Sequence, residues 1–291
     1  MAKTKKTLYL CTLNNIFIHN LISNEMKNLK LLFAVAIMAA LFTNCKHEVS
    51  SVELNKTVFV METNEQSFLT ATVLPEKADQ SVLWRSSDVN VVSVDKNGKL
   101  TAVKLGDATI TAEAGDKSAT CKVYVSTKIG GVFWAASNVD AFGKFAPTKE
   151  SAGMFYQWNR PTAWNATGDV TEWNGTTPSG NTWVVANDPC PDGWRVPTYD
   201  ELRSLLIAGS KWTTKGRNFG TAPNQIFLPA PGYREKIDGK LKNKDTEGYY
   251  WGNAEWEYGA NEATGLHFTD LLQDGFAEYK SYGYSVRCVA K

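Results

Sequence analysis

The chain has 291 residues, enough for one or two domains, and its 31 basic residues face 30 acidic ones. A net charge of +1 excludes the concentrated positive field on which nucleic-acid binding depends. Every tryptophan except Trp84 lies beyond residue 130, so composition changes sharply at that point.

In chain order, the first feature is the apolar run LLFAVAIMAALF, residues 31–42. It has the length of a signal-peptide core and is too short to span a bilayer as a helix. Lys27 and Lys30, after Met26, supply the positive flank. The run ends in LFTNC, which resembles a bacterial lipoprotein signal, where cleavage precedes a cysteine that is then acylated. The resemblance implies a signal peptide over 26–44, Cys45 as lipid anchor and a tether over 45–50. Asn44 and Phe42 depart from the usual small residue and Leu, as lipoboxes of the Bacteroidetes do. Lys46-His47-Glu48 resembles the signal that sends such proteins to the cell surface, so the expected location is the outer membrane, exposed outward. Acyl chains anchor through burial of methylenes at roughly 0.8 kcal/mol each. Met26 begins a complete signal of its own, and residues 1–25, with Cys11, read as a mis-called upstream extension.

Residues 51–126 alternate apolar and polar side chains over short runs (VELNKTVFV, SFLTATVLP, SVLWRSS, VVSVDKNGKLTAV, ATITAEAG, ATCKVYVS). Period two is the signature of half-buried strands. Asn97-Gly98 marks a hairpin, and turn signals every 8–12 residues predict a β-sandwich. Trp84 is a candidate core anchor, and Cys121, in alternation with Val123, reads as a small buried apolar residue. The stretches WRSS, VSVDKNGKLTAV and GDATITA resemble the bacterial Ig-like group 2 family. That resemblance implies a surface spacer or adhesion module without catalysis.

Residues 130–291 read differently. GGVFWAASNV is a strand or hairpin. The segment after it is mostly loop and carries Trp158, Trp164, Trp173 and Trp183; so long a loop is either functional or packed by its own side chains. A helix is predicted over PTYDELRSLLIAGS: Thr198 and Glu201 form a capping box, Leu202, Leu205 and Leu206 share a face, Pro197 blocks backward extension and Gly209 stops it. QIFLPAPGYR, GYYWGNAEW, TGLHFTDLL and YGYSVRCVAK read as strands. The expectation is an α+β domain.

CPDGWRVPTYDELRSLL, GYYWGNAEW and YGYSVRCV are similar to the Fibrobacter succinogenes major paralogous domain, with only a loose match over 209–245. The resemblance implies a C-type-lectin-like fold, more distantly like that of the formylglycine-generating enzymes. In that fold the segment before the helix lies near the last strand, which implies a Cys190–Cys288 disulfide in an exported, oxidising setting. The competing reading, a thiol nucleophile, needs a base. His267, alternating with Leu266 and Phe268, reads as a solvent-facing strand residue instead. No C-x-x-C or H-E-x-x-H motif, nucleotide loop or nucleophile elbow occurs, so no catalytic residue, metal site or cofactor is expected.

Calcium-dependent sugar binding is not implied, because the proline tripeptides of such lectins are missing beside Trp251, Asn253, Glu255 and Trp256. Tryptophans in loops still offer faces to sugars or pack the domain itself. Trp194 reads as core, and Trp164, Trp173, Trp251 and Trp256 are the candidate ligand-binding residues. The preferred reading is a non-enzymatic, lipid-anchored surface protein whose Ig-like spacer presents a lectin-like domain. Its expected partners are the membrane, through the lipid, and a glycan or surface protein. The alternatives are a polysaccharide-acting enzyme or accessory, with Glu255 and Glu257 as its carboxylates, and a structural or fimbria-associated component.

Overall fold

The computed structural model describes residues 47–291; the signal segment, Cys11 and Cys45 lie outside the described residues. The chain separates into two compact units. The described part of the smaller one comprises 47–53, 72–81 and 113–118. Within it, Ser50 donates through both its N–H and its Oγ to the Leu74 carbonyl, and Val52 and Val73 are buried.

The larger unit comprises 54–71, 82–112 and 119–291. Its first part is an Ig-like sandwich. One layer is the three-stranded sheet Gln66–Phe68, Lys99–Ala102, Val92–Val94 in spatial order. The Asn97-Gly98 turn joins the last two in sequence, with Val94 opposite Leu100, and Asp95 Oδ1 accepts from the Asn97 and Lys99 N–H groups at 2.8 and 2.9 Å. The second layer contains Leu83–Ser86, Gly106–Ala114 and Lys117–Ile129. Val58–Glu62 pairs in parallel with Lys117–Ile129. The period-two pattern points Ile110, Cys121, Val123 and Val125 inward, against Met61, Leu69, Val92 and Leu100. Cys121 is a free, fully buried thiol, and burial pushes it up to about 11. Trp84 only borders this core, half-buried.

Lys117–Ile129 does not stop at residue 126. It runs 13 residues, turns at Gly130-Gly131 and pairs antiparallel with Val132–Trp134, Val132 opposite Ile129. That strand pairs with Val289–Ala290, which pairs with Trp194–Arg195. One seven-stranded sheet therefore contains both the Ig-like strands and the end of the chain. The expected boundary at 126–130 falls inside a hairpin, because backbone hydrogen bonding continues through it.

The rest is mostly β as well. A five-stranded sheet has the order Ala163–Asn165, Met154–Gln157, Gly283–Tyr284, Tyr233–Arg234, Leu241–Lys242. Two antiparallel meanders follow from the hairpin pattern: Ser210–Thr213, Gly216–Thr221, Asn224–Pro229, and Gly248–Trp256, Gly259–Phe268, Gln273–Tyr279. Among the described residues the one α-helix is Tyr199–Ile207. Helical content is thus smaller than an α+β reading expects, because the loosely matched middle of the domain forms a β-meander.

The helix begins where the capping box predicts. Glu201 N–H donates to Thr198 Oγ1 at 3.2 Å, and Thr198 N–H donates to Glu201 Oε2 at 2.7 Å. Arg195 grips the same carboxylate through both nitrogens at 2.8 and 2.6 Å, the strong bidentate geometry. Leu202 and Leu205 bury against Phe219, Leu228, Leu266 and Phe268, with Leu206 alongside, and Gly209 follows the helix with φ +77°.

Cys190 and Cys288 are bonded, 98 positions apart in sequence. Closing so long a loop limits the unfolded ensemble and contributes up to about 4–5 kcal/mol in the chain-entropy model. Cys288→Ser should therefore lower the denaturant midpoint of the carboxy-terminal region substantially. Reduction of the unsubstituted protein should produce the same shift, while leaving the variant unchanged.

Candidate functional site

The four tryptophans expected to bind ligand have different fates. Trp251 is fully buried in the core with Tyr156, Tyr284 and Val286, and its Nε1 donates to the Tyr156 carbonyl at 2.8 Å. It is a core residue and no binding surface. Its strand carries buried residues on both faces, and alternation cannot show that. Trp164 and Trp173 form one tilted pair, centroids 5.0 Å apart. Both are half-buried, and Trp173 Nε1 donates to the Lys236 carbonyl at 3.1 Å. Trp256 packs edge-on against exposed Tyr258 at 5.4 Å. The ring contacts join these three half-buried tryptophans into two separate pairs.

The other loop tryptophans are structural. Trp158 and Trp183 are buried and meet at 5.8 Å, and their indole N–H groups donate to the Gly252 and Asn187 carbonyls. Trp194 is core, edge-on to Tyr124 at 5.2 Å and Phe145 at 5.5 Å. Beside it, Gly193 (φ +83°) lies so close to Val58 that a Cβ would come within 2.7 Å of the valine Cγ1.

Glu255 and Glu257 do not form an opposed acid pair. Glu255 is bound to the ammonium of Lys280, which is 1% exposed, stands over the Trp158 ring and also donates to the Gly180 and Ala260 carbonyls. Glu257 is exposed. A cleft of about 670 Å³ lies beside the Ig-like strands, with Tyr124, Phe145 and Phe227 in its wall. Its carboxylates, Asp107 and Glu150, each carry a lysine ammonium, from Lys122 and Lys149. His267 departs from the solvent-facing expectation. It is half-buried, stacked on Tyr249 at 4.3 Å, with Glu247 at 3.3 Å and Asp274 at 3.4 Å. Among the described residues no group of three or more potential metal ligands occurs.

A different cluster converges on one face of the carboxy-terminal module. Tyr233 meets Tyr249 at 5.1 Å and Tyr282 at 5.6 Å, with interplanar angles of 69° and 80°. All three are half-buried. Beneath them Tyr284 is buried, stacked on Tyr249 at 4.8 Å and on Tyr282 at 5.5 Å. Glu235, Glu247 and Glu278 surround these rings. Burial first, then the Glu235, Glu247 and Glu278 carboxylates, raise the Tyr233 phenol. Burial, Glu235 and Glu278 push Tyr282 up to about 12. Tyr249 Oη donates to Glu247 Oε2 at 2.8 Å. Glu278 is itself held above the ordinary carboxyl range, by burial first and by repulsion from Glu262 and Glu235, despite the Tyr279 N–H and the Lys236 charge.

The tryptophan pattern of the sequence does not point to this cluster. The available signal was a spacing of two: Tyr233-Arg234-Glu235, Glu247-Gly248-Tyr249 and Phe276-Ala277-Glu278 each place an aromatic ring and a carboxylate on the same side of an extended segment. Arg234 faces the other way and is buried.

Residues 48–123 match the bacterial Ig-like domain (group 2) model, and that domain is present here. An uncharacterized protein of Clostridium acetobutylicum is 41% identical over 80 residues, 26% of this chain and 20% of its own length. Lacto-N-biosidase of Bifidobacterium bifidum is 56% identical over 59 residues, 20% of this chain and 5% of that enzyme. The chain thus spans a fifth or less of these relatives. Among solved structures, an Ig-like-domain-containing GH10 xylanase from termite gut is 27% identical, over 25% of this chain and 19% of that one, with a TM-score of 0.22. An intimin mutant of EHEC O157:H7 is 11% identical, covering 83% of this chain and 100% of that one, with a TM-score of 0.23.

The two classes of tryptophan should separate by mutation. Trp251→Ala removes a fully buried ring and its hydrogen bond and should cost about 3–5 kcal/mol. Trp256→Ala should cost less than about 1 kcal/mol. Equilibrium denaturation of both variants checks this.

Proposed function

We propose that the protein is a non-catalytic binding component of the cell surface. Acylation at Cys45 anchors it to the outer membrane, the Ig-like domain serves as spacer, and the carboxy-terminal module, C-type-lectin-like in kind, carries the ligand face toward a glycan or a surface protein. The observation that carries this reading is the face built by Tyr233, Tyr249 and Tyr282 with Glu235, Glu247 and Glu278. Half-buried aromatic rings beside polar groups are characteristic of recognition surfaces.

The side chains that a catalytic reading would need are engaged otherwise. Cys190 and Cys288 are bonded to each other, Glu255 is neutralised by Lys280, and the Cys121 thiol is buried and pushed up to about 11, far from the thiolate a nucleophile needs. These features favour binding over the polysaccharide-acting alternative.

Two measurements test the proposal. The full chain expressed in a bacterial host should incorporate labelled palmitate and fractionate with the outer membrane, and Cys45→Ala should lose both properties. Folded protein screened against glycan and surface-protein arrays should retain a ligand, and turnover of a polysaccharide substrate would favour the enzymatic reading instead.

A further inference from the structure

The tyrosine face has a geometry and a charge that narrow its ligand. A sugar-binding platform presents one flat, open ring face. Here Tyr249 is covered by His267 at 4.3 Å and stacked on Tyr284 at 4.8 Å. Tyr233 stands nearly perpendicular to both Tyr249 and Tyr282. The rings therefore form walls that meet at steep angles.

The negative face of an aromatic ring suits a cation. The surrounding charge agrees. Glu235, Glu247 and Glu278 lie around the rings, Glu262 lies near Glu278, and the nearby lysine is Lys236. That lysine shows the preference directly: its Nζ sits 3.6 Å from the centre of the Tyr279 ring and 5.5 Å from that of Tyr282. The carboxylates outnumber it, and Glu235 repels Glu278. A second cation entering between them relieves that repulsion.

We infer that this face is a receptor for the lysine or arginine side chains of a basic segment on a partner protein. The inference rests on the binding reading above and selects the protein ligand over the glycan. Tyr233 and Tyr282 supply ring faces to the cation, Glu235 and Glu278 supply charge, and Lys236 competes with the incoming side chain.

Calorimetric titration of the full chain with a lysine decapeptide tests the assignment, with a glutamate decapeptide and a neutral oligosaccharide as comparison probes. The lysine peptide should bind, weakening as salt rises, and the glutamate peptide should not. Glu235→Gln combined with Glu278→Gln should weaken binding roughly tenfold, and Tyr282→Leu by roughly two- to fivefold. Lys236→Met should strengthen it, an effect that a sugar site or a merely structural role does not produce. Glu257→Gln, an exposed carboxylate outside the cluster, should leave affinity unchanged. Near-ultraviolet circular dichroism confirms folding, and the glutamine pair keeps the test valid if the leucine variant unfolds. Equal binding of both peptides, or affinity unchanged in the glutamine pair, overturns the inference. If the neutral oligosaccharide or an array protein binds and these variants do not affect it, the binding reading stands and the cationic ligand falls. If no ligand of any class binds the folded chain, both fall.

Discussion

A guanidinium that meets only neutral acceptors among the described residues sits in the core of the carboxy-terminal module. Arg287 is fully buried, and burial pulls it down to about 10. Taking such a charge out of water is costly unless every donor is met. Arg287 meets that requirement with neutral oxygens: Asn138 Oδ1 accepts from Nε at 3.0 Å and from Nη2 at 2.8 Å, and the Ala135, Ala136 and Phe227 carbonyls accept the rest. Its planar fork of donors therefore fixes the segment after Val132–Trp134, the residues leading into Val289–Ala290 and the strand Asn224–Pro229 at one point. Arg234 repeats the device, donating to the Asn165, Thr167, Gly168 and Gly239 carbonyls. The two buried arginines thus tie together carbonyls from segments distant in sequence.

Arg287 is flanked by Cys288, so the polar knot and the disulfide act on consecutive residues. One residue further, Val289 pairs with Trp134 and Arg195, closing the sheet that began in the Ig-like strands. The Ig-like strands and the carboxy-terminal module therefore share backbone hydrogen bonds. Trp158 and Trp183 of the long loop and Trp251 of Gly248–Trp256 extend the same logic, since each buries an aromatic surface while donating to a carbonyl. The tyrosine face stays half-buried, held from below by Tyr284 and, on the same extended segment as Tyr233, by Arg234. The buried Arg234 behind this face holds its loops in place through the Asn165, Thr167, Gly168 and Gly239 carbonyls.

The alternation in 51–126 already determined the Ig-like strands, the inward position of Cys121 and the Asn97-Gly98 hairpin, because period two and turn chemistry are local properties. Thr198 and Glu201 likewise determined where the helix starts, since the capping box closes within four residues. The tertiary structure alone decided which aromatic residues form the core and which form a face. Trp251 and Tyr249 stand two positions apart on one strand, yet Trp251 is sealed under Tyr156 and Tyr284 while Tyr249 stays half-open beside Glu247. Their fates depend on partners such as Tyr156, about a hundred positions away in the chain. Arg287 and Asn138, 149 positions apart, show the same dependence. A local pattern states which side of a strand a residue occupies. What covers that side is set by long-range packing, and no spacing within the strand encodes it.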